Sequence, residues 1–410
     1  MTAEVAVLNS LGVAIAADSA VTIDVGDARK TYYTQQKIFS LTKKHSVGIM
    51  IYSDSEFMQI NWEIIINEFS KAVGDRVFDT LEEYAKYFLT FLSDFRYITD
   101  KHQKDYLDII SYFFFEEIKD KCDEDVSENY KDQEITKSQQ TKILTAALKK
   151  TREILETETY STGFVDDGFV SANHETILNE IKEVFADYNI NEKTKEEMLE
   201  LFLLDLVKIE IARWENLNSG IVFAGYGDKE IFPSVIDFHV FGKLGKNVLH
   251  NNFSTVDVIH DSNAWIAPYA QTDAINTFIR GIDPVFKDII SAEIDKFIDG
   301  VTKLVGKKYL EAIIKLKDEV LNKIQDYEEE NYKGPVMNIV ASLPKSDLAE
   351  MAEALVNITS LRRHVSIEAE TVGGPTDVAL ISKVDGFVWI KRKQIIQTEN
   401  QGAGINGTSR

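Results

Sequence analysis

Two kinds of hydrophobic spacing divide the 410-residue chain. Ala3 to Leu8 and Gly12 to Ala17 are runs of small and β-branched residues joined by Asn9-Ser10-Leu11-Gly12, which predicts a β-hairpin. Lys37 to Leu41 and Val47 to Tyr52 predict a second strand pair about Thr42-Lys43-Lys44-His45. Ser53-Asp54-Ser55-Glu56 has capping-box spacing and predicts the start of a helix carrying Phe57, Ile60, Ile64 and Phe69. Strand spacing returns at Ile221 to Tyr226, Ile231 to Phe241 and Lys246 to Asn251, with turns at Gly227-Asp228 and Gly242 to Gly245. Three- and four-residue steps then predict helices at Tyr269 to Ile282, Asp295 to Tyr327 and Ser346 to Leu361. A last hairpin, Asp377 to Ser382 and Phe387 to Lys391, turns at Asp385-Gly386, and a frayed tail is expected from Thr398.

The middle of the chain is different. All six prolines lie at or after Pro233, and neither glycine nor proline occurs between Gly74 and Gly163. Without breakers, residues 71–217 read as a helical block, with loops expected at Asp123 to Gln140 and Thr157 to Asn173. Strand pairs and helices in this order predict an α+β protein with two antiparallel sheets enclosed by helices, because each sheet must cover an apolar face.

Charge and composition narrow the function classes. With 45 Lys+Arg against 67 Asp+Glu, the formal charge is −22, and no basic patch offsets it, so nucleic acid and anionic lipid are excluded as expected partners. The 71–217 block has 33 acidic and 19 basic residues and so holds most of that charge. Cys122 is the only cysteine, which rules out an intrachain disulfide and a multi-cysteine metal site. The histidines show no zinc-binding spacing. No signal-like start and no apolar run near the ~20 residues needed to span a bilayer is present, so a soluble, cytoplasmic protein is expected, without membrane, metal or cofactor.

One group of residues carries chemistry. Thr2 follows Met1, and removal of Met1 would leave a terminal threonine whose hydroxyl is a nucleophile and whose α-amine, with a reference pKa near ~8, suits a general base. By itself Thr2 is an ordinary second residue. Its company changes that: Asp18 ends the strand antiparallel to the one Thr2 begins, an acid there needs a partner, and Lys37 opens the next strand, so the three can meet at one sheet end.

At these residues the chain resembles proteasome β subunits and their bacterial relatives among the N-terminal nucleophile (Ntn) hydrolases. Thr2, Ala16-Ala17-Asp18-Ser19 and Gln36-Lys37-Ile38 match in order the family's nucleophile, acid motif and lysine motif, and Ile221 to Gly225 and Val372-Gly373-Gly374 resemble later strands. The resemblance implies a four-layer αββα sandwich whose discontinuous core is 1–70, 218–282 and 336–397, with a large acidic helical insertion at 71–217 and a second insertion at 283–335. It implies a threonine-type peptidase or amidase in which Thr2 attacks, Lys37 paired with Asp18 orients the nucleophile, and the backbone N–H of Tyr52 steadies the oxyanion. Met50, Ser53 and Thr22 would line the substrate pocket. Glu368, Glu370 and Thr371 are approximate stand-ins for the Asp and Ser that the family places after its last core helix, and Ser19 of the acid motif is a further support candidate; the chain also departs in having Tyr52-Ser53 where paired glycines are usual and Ile266-Ala267-Pro268 where a serine is expected. Implied partners are further copies of the chain, a peptide or protein substrate and an unfoldase ATPase. The competing reading is a catalytically silent scaffold that binds partners through its helical insertion.

Overall fold

Buried small residues allow close strand pairing at the amino terminus, where Ala3–Asn9 (β1) runs antiparallel to Gly12–Ala17 (β2), with Asn9 opposite Gly12. The computed structural model describes residues 2–25, 28–42, 44–130, 135–157, 167–207, 217–258, 263–366 and 372–393. Val21–Val25 (β3) and Ala28–Tyr32 (β4) form a separate ribbon, Ile38–Ser40 (β5) pairs with Val47–Ser53 (β6), and Glu56–Phe57 (β7) with Ile60–Asn61 (β8). Helices follow at Trp62–Val73 (α1), Leu81–Ser93 (α2), Asp100–Tyr130 (α3), Lys137–Thr157 (α4), Asp167–Val184 (α5) and Glu192–Val207 (α6). The chain returns to strands at Ser219–Gly225 (β9), Ser234–Leu244 (β10), Asn247–His250 (β11), Ser254–Asp257 (β12) and Ala264–Ala270 (β13). Helices Asp273–Arg280 (α7), Pro284–Val305 (α8), Leu310–Glu328 (α9), Gly334–Ser342 (α10) and Lys345–His364 (α11) precede the hairpin Asp377–Ser382 (β14) and Gly386–Lys391 (β15). A π-helical turn, Glu329–Lys333, joins α9 to α10.

The strands make two main antiparallel sheets, one ordered β13-β1-β2-β14-β15 and the other β11-β10-β9-β6-β5, with β12 also on β10. Ala6, Leu8 and Ile15 of the first sheet pack with Met50, Val222 and Val235 of the second, forming an apolar layer between them. Val5, Val7 and Ala14 face the other way, onto Ile275, Val340 and Leu355 of the helices beyond. Ile49, Ile51 and Phe223 on the outer face of the second sheet join a core that continues through Phe69, Phe88, Phe115 and Phe202. Both faces of each sheet are covered, which explains why all seven residues of β1 are buried. The helical block shares one apolar core with the second sheet; Tyr106 of α3 fills the space where Gly242 of β10 lacks a side chain. Among the described residues, no helix is long and apolar enough to cross a membrane.

Several boundaries differ from expectation. The first helix begins at Trp62, capped by the Asn61 side chain on Glu63 N–H, and the Phe57 and Ile60 segment is the β7-β8 ribbon. Asp123 to Tyr130 continues α3, and Gly168 to Asn173 lies in α5. The expected helix from Tyr269 starts at Asp273 because Ala264–Ala270 is an edge strand. Pro268 is tolerated there, since an edge strand can spare one N–H. Gly306 divides the helix expected at Asp295 to Tyr327.

Asn9 ties the hairpin to the outer helices. Its Nδ2 donates to the carbonyls of Val340 and Leu343, each at 2.9 Å, and its Oδ1 accepts from Leu11 N–H at 2.9 Å. Asn9→Ala strands these buried groups and is expected to lower stability by about 2–3 kcal/mol. Urea midpoints check it, and an unchanged midpoint would show that the clamp contributes nothing.

Candidate active site

Hairpin register assembles the site. Glu4 lies opposite Ala17, so the residue after β2, Asp18, falls beside the start of β1, and its N–H returns to the Ala3 carbonyl at 3.1 Å. The Asp18 carboxylate is held from several sides: Oδ1 accepts from Ala3 N–H at 3.2 Å and pairs with Lys37 Nζ, while Oδ2 accepts from Gly373 N–H at 2.8 Å and Ala20 N–H at 3.4 Å. Lys37 stands just before β5, where its carbonyl accepts from Ile51 N–H at 2.9 Å. Thr2, Asp18 and Lys37 are buried at one end of the two sheets.

Glu4, which sequence reasoning did not single out, joins them. Thr2 Oγ1 donates to Glu4 Oε2 at 2.9 Å, and Glu4 Oε1 forms an ion pair with Lys37 Nζ at 3.2 Å. Thr2 and Glu4 are two apart on a strand and so share a face. That is the face Ala6 and Leu8 present to the other sheet. Glu4 is fully buried, and its carboxyl is raised to about 7, chiefly by this loss of hydration; Lys37 and the Thr2 hydrogen bond oppose the rise and Asp18 adds to it. The signal was available: a lone carboxylate inside Ala3-Glu4-Val5-Ala6-Val7-Leu8 must find a partner when that strand is buried.

Other expected site residues are placed elsewhere. Ser19 is buried, its N–H donates to the Gly373 carbonyl at 3.2 Å, and its hydroxyl donates to the Pro375 carbonyl. Met50 packs between the sheets, and Ser53 is exposed with φ +69°. Thr22 lies on β3 opposite Thr31 of the ribbon. Glu368, Glu370 and Thr371 lie outside the described residues.

Tyr52 departs most from its expected role. On β6, Ile51 N–H points to β5, whereas the Ser46 carbonyl accepts from Tyr226 N–H at 2.9 Å and Asp54 N–H donates to the Asn218 carbonyl at 3.3 Å, both across to the β9 side. Backbone groups alternate along a strand, so the even-numbered Tyr52 N–H is directed at Gly220 of β9, its register partner. The Tyr52 ring occupies the space above Gly220, where a Cβ would lie 2.0 Å from it. Its hydroxyl donates to Asp237 Oδ1 at 2.8 Å and lies 2.9 Å from His239 Nε2. Burial pushes the Tyr52 hydroxyl well above its ordinary value, Asp237 up to about 6 and His239 down to about 4, which leaves this imidazole neutral at pH 7.

No protein-family model matches the chain, and no curated protein matches it significantly. Solved structures do. The Gly-1 mutant of Anbu from Hyphomicrobium sp. strain MC1 matches at 10% identity and TM-score 0.28, covering 98% of this chain and 89% of that one. Anbu (ancestral beta-subunit) from Yersinia bercovieri matches at 9% identity and TM-score 0.30, covering 94% of this chain and 87% of that one. These matches correct the resemblance drawn from the sequence: the solved structures found are Anbu proteins, where the motifs had been likened to proteasome β subunits.

Proposed function

We propose that this protein is a threonine-type N-terminal nucleophile hydrolase that cleaves peptide or amide bonds with Thr2 once Met1 is removed. The observation that carries this reading is the buried cluster in which the Thr2 hydroxyl meets Glu4, Glu4 meets Lys37, and Lys37 pairs with Asp18. Such a cluster places a nucleophile next to a proton acceptor and a cation in a low-dielectric site, which is the arrangement acyl transfer requires. The attacking oxygen is Thr2 Oγ1, and the ammonium of Lys37 lowers the cost of negative charge developing beside it.

The supporting scaffold is a four-layer αββα core formed by 1–70, 218–282 and 336–397, with 71–217 and 283–335 as insertions. The second insertion exposes Val285, Phe286, Ile289, Phe297 and Leu304 on α8, a face suited to contact with further copies of the chain in a homo-oligomer. Substrates are peptides or proteins, delivered by an unfoldase ATPase when they are folded.

A specific observation favours a second reading, a silent scaffold on the same fold. Tyr52 N–H is directed into the β6-β9 ladder, so it is withdrawn from the oxyanion role. Loss of one oxyanion donor costs on the order of 100-fold in rate. Intact-mass measurement with a threonine-reactive β-lactone separates the two. The hydrolase loses Met1 and gains one adduct on Thr2, and Thr2→Ala gains none. Retained Met1, or no adduct at saturating probe, overturns the hydrolase in favour of the scaffold.

A further inference from the structure

The Asp18 carboxylate receives no hydrogen bond from the Thr2 hydroxyl, which donates to Glu4. Both its oxygens are engaged by backbone N–H groups, from Ala3, Ala20 and Gly373, and one also by Lys37. Glu4 is its opposite. It is fully buried, takes no backbone N–H, accepts a hydrogen bond from Thr2 Oγ1 at 2.9 Å, and its other oxygen forms an ion pair with Lys37 Nζ at 3.2 Å. We propose that Glu4 is a catalytic residue, the carboxylate that accepts the Thr2 hydroxyl proton and returns it to the leaving group. The inference rests on Thr2 being the nucleophile.

Three features support a role beyond neutralising Lys37. Lys37 already has a full counter-ion in Asp18, so a second carboxylate is surplus for charge balance and costs free energy to bury. Its oxygen stands within the 2.6–3.2 Å reach (about) that proton transfer needs, and on the reacting atom itself. Burial also raises its carboxyl to about 7, where about half of it is ionised at neutral pH and the ionised form is still basic. The charged and titratable groups facing it are Lys37 before β5, Asp18 after β2, Tyr52 on β6 and, opposite in register on β13, Tyr269. Both tyrosines are pushed well above their ordinary values by burial and so stay neutral, which leaves Lys37, Asp18 and, once Met1 is removed, the α-amine of Thr2 as the charges Glu4 feels.

The step balances. The Thr2 Oγ1–H bond breaks and the proton passes to Glu4 Oε2, while the oxygen's electron pair forms a bond to the substrate carbonyl carbon and the carbonyl π pair moves to its oxygen. Collapse of that oxyanion breaks the C–N bond, and the departing nitrogen takes the proton from Glu4. Water then attacks the ester, giving its proton to Glu4, which returns it to Thr2 Oγ1 as the acid product leaves.

The test is the rate of Thr2 acylation by the β-lactone, followed by intact mass from pH 5.5 to 8.5, for the full chain, Glu4→Gln, Glu4→Asp and Thr2→Ala. The unmodified protein should label faster as pH rises through about 7. Glu4→Gln should label about 100- to 10,000-fold more slowly and lose that pH dependence. Glu4→Asp should recover part of the rate. A Glu4→Gln protein labelled at the full rate with the same pH profile overturns the Glu4 assignment and leaves Thr2 as nucleophile. No labelling of the unmodified chain overturns the Thr2 reading and the Glu4 assignment with it. Where Glu4→Gln does not fold, a flat profile in the unmodified protein overturns the assignment.

Discussion

Lys37→Met is expected to lower stability at pH 8 by about 3–5 kcal/mol and to slow Thr2 acylation by on the order of 100-fold. The stability loss follows from what the cation leaves behind. Lys37 faces two carboxylates, Asp18 and Glu4, and all three side chains are 5% exposed or less. Asp18 keeps the N–H groups of Ala3, Ala20 and Gly373, but Glu4 keeps only the Thr2 hydroxyl. The uncompensated charge therefore falls on Glu4, which can escape it by taking a proton. The destabilisation should be smaller at pH 5 than at pH 8, and urea midpoints at the two pH values read the difference. Equal losses at both would place the cost on Asp18 instead, and no loss would remove the cation from the account of the site.

Much of the strand framework was legible because its signals are local. The β1-β2 and β14-β15 hairpins follow from short apolar runs closed by turn residues, and the pairing of β1 with β2 alone puts Asp18 beside the start of β1. Features set by distant partners were hidden. Whether the Tyr52 N–H is free depends on which edge of β6 the even-numbered groups face, and that is decided by β9, more than 160 residues away in sequence. Pro268 argues against a strand at Ala264–Ala270 until β13 is seen to lie at a sheet edge. Glu4 was overlooked for another reason. Its meaning depends on β1 being covered on both faces, and burial of both faces comes from the helices and from the second sheet together. The charge of −22 says nothing of this site, since two buried acids and one buried lysine there contribute almost nothing to it.

Stability itself should report the Glu4 titration. Its folded value, about 7, lies above the ordinary 4.5, so between those two the folded chain holds a proton that the unfolded chain has released. The sign is fixed by that excess: the contribution is fully present below pH 4.5, declines as pH rises, and is gone above about 7. The interval corresponds to about 3 kcal/mol, an upper bound on what folding loses by ionising this group. Other carboxyls add their own dependence: Asp237 is raised to about 6 by burial and titrates in the same range, while Asp283 and Asp385 are held low by Arg362 and Lys345 and titrate below it. These cancel when the unfolding free energy of Glu4→Gln is subtracted from that of the unmodified protein at each pH. The difference should shift by about 3 kcal/mol in favour of Glu4→Gln between pH 5 and pH 8.5. A difference that does not change with pH would mean that Lys37 and Thr2 keep Glu4 ionised throughout, and a carboxylate so held is a counter-ion with no basicity to lend the nucleophile.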